Sequence, residues 1–439
     1  MQLTRLEDTT CDGLTPTLAL YLDLHANPEL SGQESRTAGV LAASLREAGY
    51  EVSTAIGGHG VVGVLRNGPG PVVVLRCELD ALPVSERTGL VYSADPASGV
   101  MHACGHDVHV ACAAGAAALL SKYRDGWRGM VAVLGQPAEE TLSGAAAMLA
   151  DGVYDRCGRP DVLLAQHTAP FPAGMIGHAG ASGQVTAASL TLSILMHGKG
   201  GHAGLPHLAA NPITAAAALV GDIHDLGAAW PTPLVAVAAS IHAGERPNVI
   251  PGQALLGVSL RAADLAGLDS AQRAIERLAQ ERCAAASCPR PPEIARAAVS
   301  PAGVNDPGAA ALVRASHVRA FGPHRVTDVP PSGATEDFPL LAALAPGGPV
   351  PSVYWALGCV GHRDWAAAPG TGAAQKIAAL PANHSAEFAP DPVPTIRTGT
   401  AALAAAALAF LSPDAAGTRT GTAAPPAPQS VRLSEGNPR

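Results

Sequence analysis

The sequence predicts an α/β protein: a helix-flanked, mainly parallel sheet forming a catalytic domain, with a smaller ferredoxin-like α+β domain inserted into it. Three observations carry that reading. Short runs at 61–65, 72–75, 130–135, 163–166 and 352–357 are mostly apolar throughout, as strands buried on both faces are. Helical stretches such as 108–123 and 144–150 lie between them, and strands alternating with helices build parallel sheets. Residues 185–299 break that rhythm and read strand–helix–strand–strand–helix–strand, the order of a small ferredoxin-like domain.

Taken in order, residues 16–49 read as two helices. The second is expected to start at Ser31, which has capping-box spacing to Glu34. The β-branched runs that follow belong to the first domain, 1–184. In the inserted domain, 185–299, a strand is expected over 185–196. Asn211-Pro212 then supplies an N-cap followed by proline at the first helical position. Strands over 234–241 and 255–261, a helix over 269–286 and a last strand over 293–299 complete it. The chain returns to the first domain over 300–412. Residues 413–439, rich in Pro, Ala, Gly, Ser and Thr and without aromatics, read as a disordered tail.

Composition narrows the function classes. At 439 residues the chain can hold two or three domains of roughly 150 residues and bury its core without disulfides. Charged residues make up only 15% and the net charge is −8, with no block of like charges. The basic footprint that nucleic-acid binding needs is absent. The longest apolar run, 401–411, is mostly alanine and shorter than the roughly 20 residues a bilayer requires. No apolar signal core follows Met1, so the expected address is the cytoplasm, without membrane partners. Eight cysteines at irregular spacing, with no C-x-x-C pair, argue against a disulfide framework or zinc ribbon.

The chemistry concentrates in a few places. HACGHDVH (102–109) offers a thiol at Cys104 and an imidazole at His106, the ligand types zinc takes most readily. QPAEE (136–140) places Glu139 and Glu140 just after a buried run, where open α/β sheets put their sites. One such carboxylate can bind a metal while its neighbour takes a proton from water. The same pair could equally be acids at a helix N-terminus, favoured by the dipole. His167 follows the run 162–166, a place where a lone histidine is more often structural, and Asn383-His384 says nothing by itself. Strand-end positions in one sheet converge, however, which makes these places a constellation. GKGGHAGLPH (198–207) is no phosphate loop, because Lys199 is followed by glycine. Neither G-x-S-x-G nor H-E-x-x-H occurs. RPNVIP (246–251) and SGATEDF (332–338) could be turn chemistry and a helix cap.

Together these pieces, with ELDALP (78–83), resemble the M20 metallopeptidase family, particularly its amidohydrolase and aminoacylase branch. That branch includes hippurate hydrolases and plant auxin-conjugate hydrolases. The motifs follow the family's order over about residues 15–411. Tyr92-Ser-Ala-Asp-Pro96 and Ala165-Gln-His167 are also similar to bacterial N-acylglutamine aminoacylases.

The resemblance implies a site with two divalent ions, zinc or manganese, with cobalt or nickel as further candidates. Their ligands would be Cys104, His106, Glu140, His167 and His384. Cys104 would bridge, with His106 and His167 on one ion and Glu140 and His384 on the other. Glu139 would be the general base, and Asp80 an acid that orients a ligand. Glu78 stands where other branches carry a histidine ligand, which leaves Asp80's part open. His202 would reach the neighbouring subunit's active site and polarise the scissile carbonyl, making a homodimer part of catalysis. Asn248 and Arg261 would hold the carboxylate of an N-acyl amino acid or short peptide. The implied function is metal-dependent hydrolysis of N-acyl amino acids. A dipeptidase or carboxypeptidase of the same superfamily is one alternative, and a non-catalytic metal-dependent binding protein another. Two departures from the family stand out: 358–382 is longer than expected, and Thr335 replaces the usual serine.

Overall fold

The computed structural model describes residues 6–412; the tail expected to be disordered lies outside them. The chain forms two compact units. Among the described residues, one comprises 6–185, Val304–Pro331 and 337–412; the other comprises Thr186–Gly303 with the short segment Ser332–Glu336. The sequence places that segment in the first domain and ends the inserted one at 299; contacts group the segment with the inserted unit, which runs to Gly303.

The larger unit is built on an eight-stranded sheet. Its spatial order is Glu51–Ile56, Gly60–Asn67, Gly129–Gln136, Val72–Glu78, Val162–Pro172, Ser352–Val360, Ile176–Ala179 and Val326–Val329. The four middle strands run parallel, and antiparallel pairings lie toward both edges. Alternate residues of the parallel strands enter different cores. Val73, Leu75, Val131, Val133, Val162 and Leu164 belong to one apolar cluster, while Val74, Ala132, Leu134 and Leu163 belong to another. A strand covered on both faces needs apolar residues at every position, which is why these runs do not alternate. Each Val or Leu buried this way contributes about 1.5–3 kcal/mol.

The helix Pro392–Leu411 is the one described helix long and apolar enough to cross a bilayer, and it is mostly buried in the first of these clusters. Its small alanines let neighbouring helices approach closely.

Two expectations fail at the start of the chain. The first helix is Leu6–Ala26 and carries Pro16 inside it. The second starts at Ser35, and Glu34 makes no side-chain cap. Ser31 and Glu34 are engaged elsewhere: Ser31 Oγ donates to Asp80 Oδ2 at 2.7 Å, and Glu34 Oε1 accepts from Gly32 N and Ala138 N, both at 2.8 Å.

In the inserted unit, four strands form an antiparallel sheet in the order Glu293–Ser300, Ala188–His197, Gln253–Ala262 and Leu234–His242. Helices Pro212–Ala229 and Leu265–Ala285 supply the apolar side chains packed with it. Asn211 caps the first of these helices by accepting from Ile213 N at 3.0 Å, as its sequence signature predicts. A two-stranded ribbon pairs Gly201–His202 with Val249–Ile250.

One buried pair in the larger unit is sensitive to acid. His317 Nε2 donates to the Ala402 carbonyl at 3.1 Å, so its Nδ1 accepts from His178 Nε2 at 2.9 Å. Burial pushes His178 down to about 4, with the Arg314 charge adding to it. Burial and the neighbouring His178 push His317 down to about 3. Below pH ~6.5 the unfolded chain takes up protons that the folded rings refuse, so stability falls as the pH drops. The loss is about 2 kcal/mol per ring at pH 5. Chemical denaturation at pH 7 and pH 5 should therefore show a smaller acid-induced drop in a His178→Gln/His317→Gln protein than in the wild type. Equal drops would assign the sensitivity to other groups.

Candidate metal centre

Four chain segments of the larger unit bring donor atoms together. Cys104 and His106 flank Gly105, whose φ is +79°, at the start of helix His106–Lys122. A Cβ at Gly105 would lie 2.5 Å from Thr168 Oγ1, so the turn requires glycine on two counts. Glu139 and Glu140 lie in a turn between strand Gly129–Gln136 and helix Gly144–Ala150, not in the helix. The reading as acids favoured by a helix dipole is thereby replaced. Ala138 and Leu142, on either side of the pair, have φ of +50° and +52°. Strain of this kind, held in place by surroundings, is common at functional sites. Glu34 secures the turn through Ala138 N. His167 lies within a strand that continues to Pro172. His384 has φ +71°, and its N–H donates to the Ala103 carbonyl at 2.7 Å.

The five expected ligands meet. Cys104 Sγ is 3.5 Å from His167 Nε2. Glu140 Oε2 is 3.4 Å from His384 Nε2, and Glu140 Oε1 is 3.8 Å from His106 Nε2. Donor atoms of Cys104, His106 and Glu140 all lie within 4.8 Å of one another. Glu139 Oε2 is 3.9 Å from His106 Nε2, which puts the expected base beside the cluster.

Whether these residues suit a metal is decided by two atoms. His106 Nε2 and Glu140 Oε1 are both buried, and neither has a hydrogen-bond partner. Leaving such a group unpaired costs about 1–3 kcal/mol, and more if it is charged. A cation between them satisfies both, and the thiol, imidazole and carboxylate donors fit a divalent ion.

The remaining contacts aim the ligands. His106 Nδ1 donates to the Asp80 carbonyl at 2.8 Å, leaving Nε2 for the centre. His167 Nδ1 donates to the Thr168 carbonyl at 2.8 Å with the same result. Asp80 Oδ2 accepts from Glu140 N at 2.9 Å as well as from Ser31. Burial raises the Asp80 carboxyl, but His106 and these donors outweigh it and hold the group ionised. Burial also raises Cys104, yet the neighbouring His167, through its charge and its hydrogen bond, brings the thiol down to about 6. Hydrogen bonds to Cys104 and Glu140 raise His384 to about 10.

For several segments that the sequence singles out, the structure supplies contacts that the sequence does not show. Asn383 Nδ2 donates to the Cys104 carbonyl at 3.2 Å and the Thr168 carbonyl at 3.3 Å, joining three ligand-bearing segments. Asp337 is the N-cap residue of helix Phe338–Ala343 without capping it. Its carboxylate accepts instead from Gln136 Nε2 at 2.6 Å and Ala145 N at 2.9 Å. Residues 358–382 hold two short helices, His362–Ala367 and Ala373–Ala379, joined by Lys376 Nζ donating to Trp365 O at 2.7 Å.

The other expected residues lie in the inserted unit. His202 is exposed on the ribbon, and Gly204 N donates to its Nδ1 at 2.9 Å, so the neutral ring carries its proton on Nε2. Asn248 adjoins it, its carbonyl accepting from Ala203 N at 3.1 Å. Arg261 sits far along strand Gln253–Ala262 from the end where the ribbon leaves, about 27 Å at 3.4 Å per residue. Within this unit the structure does not bring it to His202 and Asn248. One of its guanidinium nitrogens donates to Gly333 O at 2.5 Å.

A parallel sheet with thiol, imidazole and carboxylate donors gathered on the loops around it defines a metal-binding hydrolase. The chain belongs to peptidase family M20/M25/M40, whose sequence profile matches residues 74–371. It is 32% identical to the N-acetyl-L-cysteine deacetylase of Bacillus subtilis over 348 residues, 78% of this chain and 80% of that one. It is 35% identical to thermostable carboxypeptidase 2 of Saccharolobus solfataricus over 268 residues, 59% of this chain and 67% of that one. Its fold matches the Bacillus subtilis YXEP protein, a dinuclear metal-binding peptidase of the M20 family, with a TM-score of 0.66 at 26% identity. That match covers 90% of this chain and 98% of the other.

Since the Asp80 carboxylate lies 3.3 Å from His106 Nδ1 and accepts from Glu140 N, Asp80→Ala, which keeps the backbone carbonyl but removes both side-chain contacts, should weaken divalent-ion affinity by about 10- to 100-fold. Titration calorimetry with zinc on the apo-protein checks this; unchanged affinity would show that the Asp80 side chain orients neither ligand.

Proposed function

We propose that this enzyme hydrolyses the amide bond of N-acyl amino acids, using two divalent ions held by Cys104, His106, Glu140, His167 and His384. The observation that carries the reading is the pair of buried, unpartnered atoms, His106 Nε2 and Glu140 Oε1, with Glu139 alongside. Cys104 would be the bridging ligand, a reading supported by its Sγ lying 3.5 Å from His167 Nε2 and within 4.8 Å of the donor atoms of His106 and Glu140. Its thiol, with imidazole donors, favours zinc; manganese, cobalt and nickel are also compatible with the nitrogen and oxygen donors.

When bound, the ions supply Lewis acidity and make water easy to deprotonate near neutral pH. Glu139, nearly buried, takes the proton from the attacking water and passes it to the leaving amine. His202, with its proton on Nε2, donates to the carbonyl oxygen as negative charge develops there. Asn248 and Arg261 hold the carboxylate of the substrate. Arg261 lies far along its strand from the ribbon that carries the other two, which suits contributions from two subunits.

A homodimer follows from this division of labour. The edge strand Leu234–His242 leaves Val235, Val237 and Ile241 about half exposed, an apolar face that pairing would cover. The described cysteines are all free thiols, which suits the reducing cytoplasm.

The substrate class rests on the deacetylase relative and on the motif pattern of the amidohydrolase branch. The carboxypeptidase relative supports the second reading, cleavage of peptides at the same centre. Assaying metal-loaded protein against N-acyl amino acids and dipeptides, with a chelator control, separates the two. Turnover of neither would leave a binding protein.

Glu139→Gln should retain its metal and lose about 10²- to 10⁴-fold in turnover, read from metal analysis and steady-state rates; full activity would remove the base assignment. His202→Ala and Glu139→Gln proteins, each inactive, should recover partial activity when mixed, because one active site of the heterodimer keeps both residues. No recovery from verified heterodimers would rule out catalysis across the interface.

A further inference from the structure

We propose that Glu78 and His109 are positioning residues which, acting through Thr168, fix the orientation in which His167 and Cys104 meet the metal. The inference rests on the metal centre proposed above but concerns residues that contact none of the reacting atoms.

The contacts form one unbroken chain. Buried Arg76 is anchored by Gln136 Oε1 at 2.9 Å and Asp337 Oδ1 at 3.4 Å, and its guanidinium pairs with Glu78 Oε1. Glu78 Oε2 accepts from His109 Nδ1 at 2.8 Å. His109 Nε2 accepts from Thr168 N at 2.9 Å. The Thr168 carbonyl accepts from His167 Nδ1 at 2.8 Å, and its hydroxyl donates to the Cys104 carbonyl at 2.9 Å. The ring of His109 also packs on that of His167, with centroids 4.6 Å apart.

Donor direction is forced at both ends. A guanidinium and an amide N–H can only donate, and a carbonyl can only accept. His109 must therefore carry its proton on Nδ1 and accept at Nε2. Thr168 is thus held on three sides, and His167, with Nδ1 committed to the Thr168 carbonyl, meets Cys104 Sγ through Nε2 at 3.5 Å.

Donor atoms of Glu78, His106, His109 and His167 lie within 4.8 Å of one another, a spacing an ion would also suit. Both nitrogens of His109 are already engaged, however, as is Nδ1 of His106. The cluster therefore supports the metal site instead of forming another.

Glu78→Gln tests the relay. With its amide oxygen on Arg76, its NH₂ faces His109 Nδ1 and drives the proton to Nε2, against the Thr168 N–H. We expect the full-length E78Q protein to bind zinc about 10- to 100-fold more weakly by titration calorimetry. Its kcat should fall more than its KM changes, and excess metal should restore part of the rate. Glu78→Asp, which keeps the carboxylate, should recover most of the affinity. Wild-type affinity in a folded E78Q protein would overturn the relay. Should E78Q fail to fold, long-range ¹⁵N–¹H spectra of the wild-type apo-protein decide: a proton on Nδ1 of His109 supports the relay, and one on Nε2 overturns it. A wild-type protein that binds no divalent ion fails the metal centre itself, a result separate from either.

Discussion

Everything at this centre depends on keeping donor atoms bare inside a folded protein. A buried nitrogen or oxygen takes any hydrogen bond within reach, so a vacant lone pair requires that each rival partner be engaged elsewhere. Here that is done from behind. The Asp80 carbonyl occupies Nδ1 of His106, the Thr168 carbonyl occupies Nδ1 of His167, and a backbone N–H draws on Asp80 Oδ2. What remains uncommitted, His106 Nε2 and Glu140 Oε1, faces inward and is buried.

The fold makes this possible because it separates stability from chemistry. The parallel strands are buried on both faces, so the scaffold is anchored by apolar packing that asks nothing of the loops. The loops can then hold unfavourable backbone, with positive φ at Ala138, Leu142 and His384, without threatening the fold.

The same separation explains how much could be read from the sequence. Continuous apolar runs signal buried strands directly, and the five ligand candidates stand out because thiol, imidazole and carboxylate groups are conspicuous after such runs. The supporting residues are not conspicuous. Ser31 and Glu34 match a capping box in spacing, yet both side chains turn away to Asp80 and Ala138. A local spacing rule cannot see a partner about fifty or a hundred residues away. Asp337 was misjudged for the same reason, since its contacts with Gln136 and Ala145 exist only once strand and helix have packed. Glu78 registered only as a departure from a ligand position, because its partners lie on two different elements. The strands Glu51–Ile56, Ile176–Ala179 and Val326–Val329 are not legible in the sequence because they are short or partly exposed and lack a long continuous apolar run.

Buried charge beneath the centre raises a question of necessity. Arg76, Glu78 and Asp337 are fully buried. Replacing such groups with well-packed apolar residues is often neutral or stabilising, so stability alone does not account for them. An apolar core, however, has no donor direction. It cannot tell one tautomer of His109 from the other, nor hold the peptide of Thr168 by its N–H. Charged groups can, because the Glu78 carboxylate, kept ionised beside the Arg76 guanidinium, can only accept, which holds the His109 proton on Nδ1 and leaves Nε2 to accept from Thr168 N. On this argument the buried charges at the end of the interior strand Val72–Glu78 are kept for orientation, and the apolar cores on both faces offset the cost of burying them.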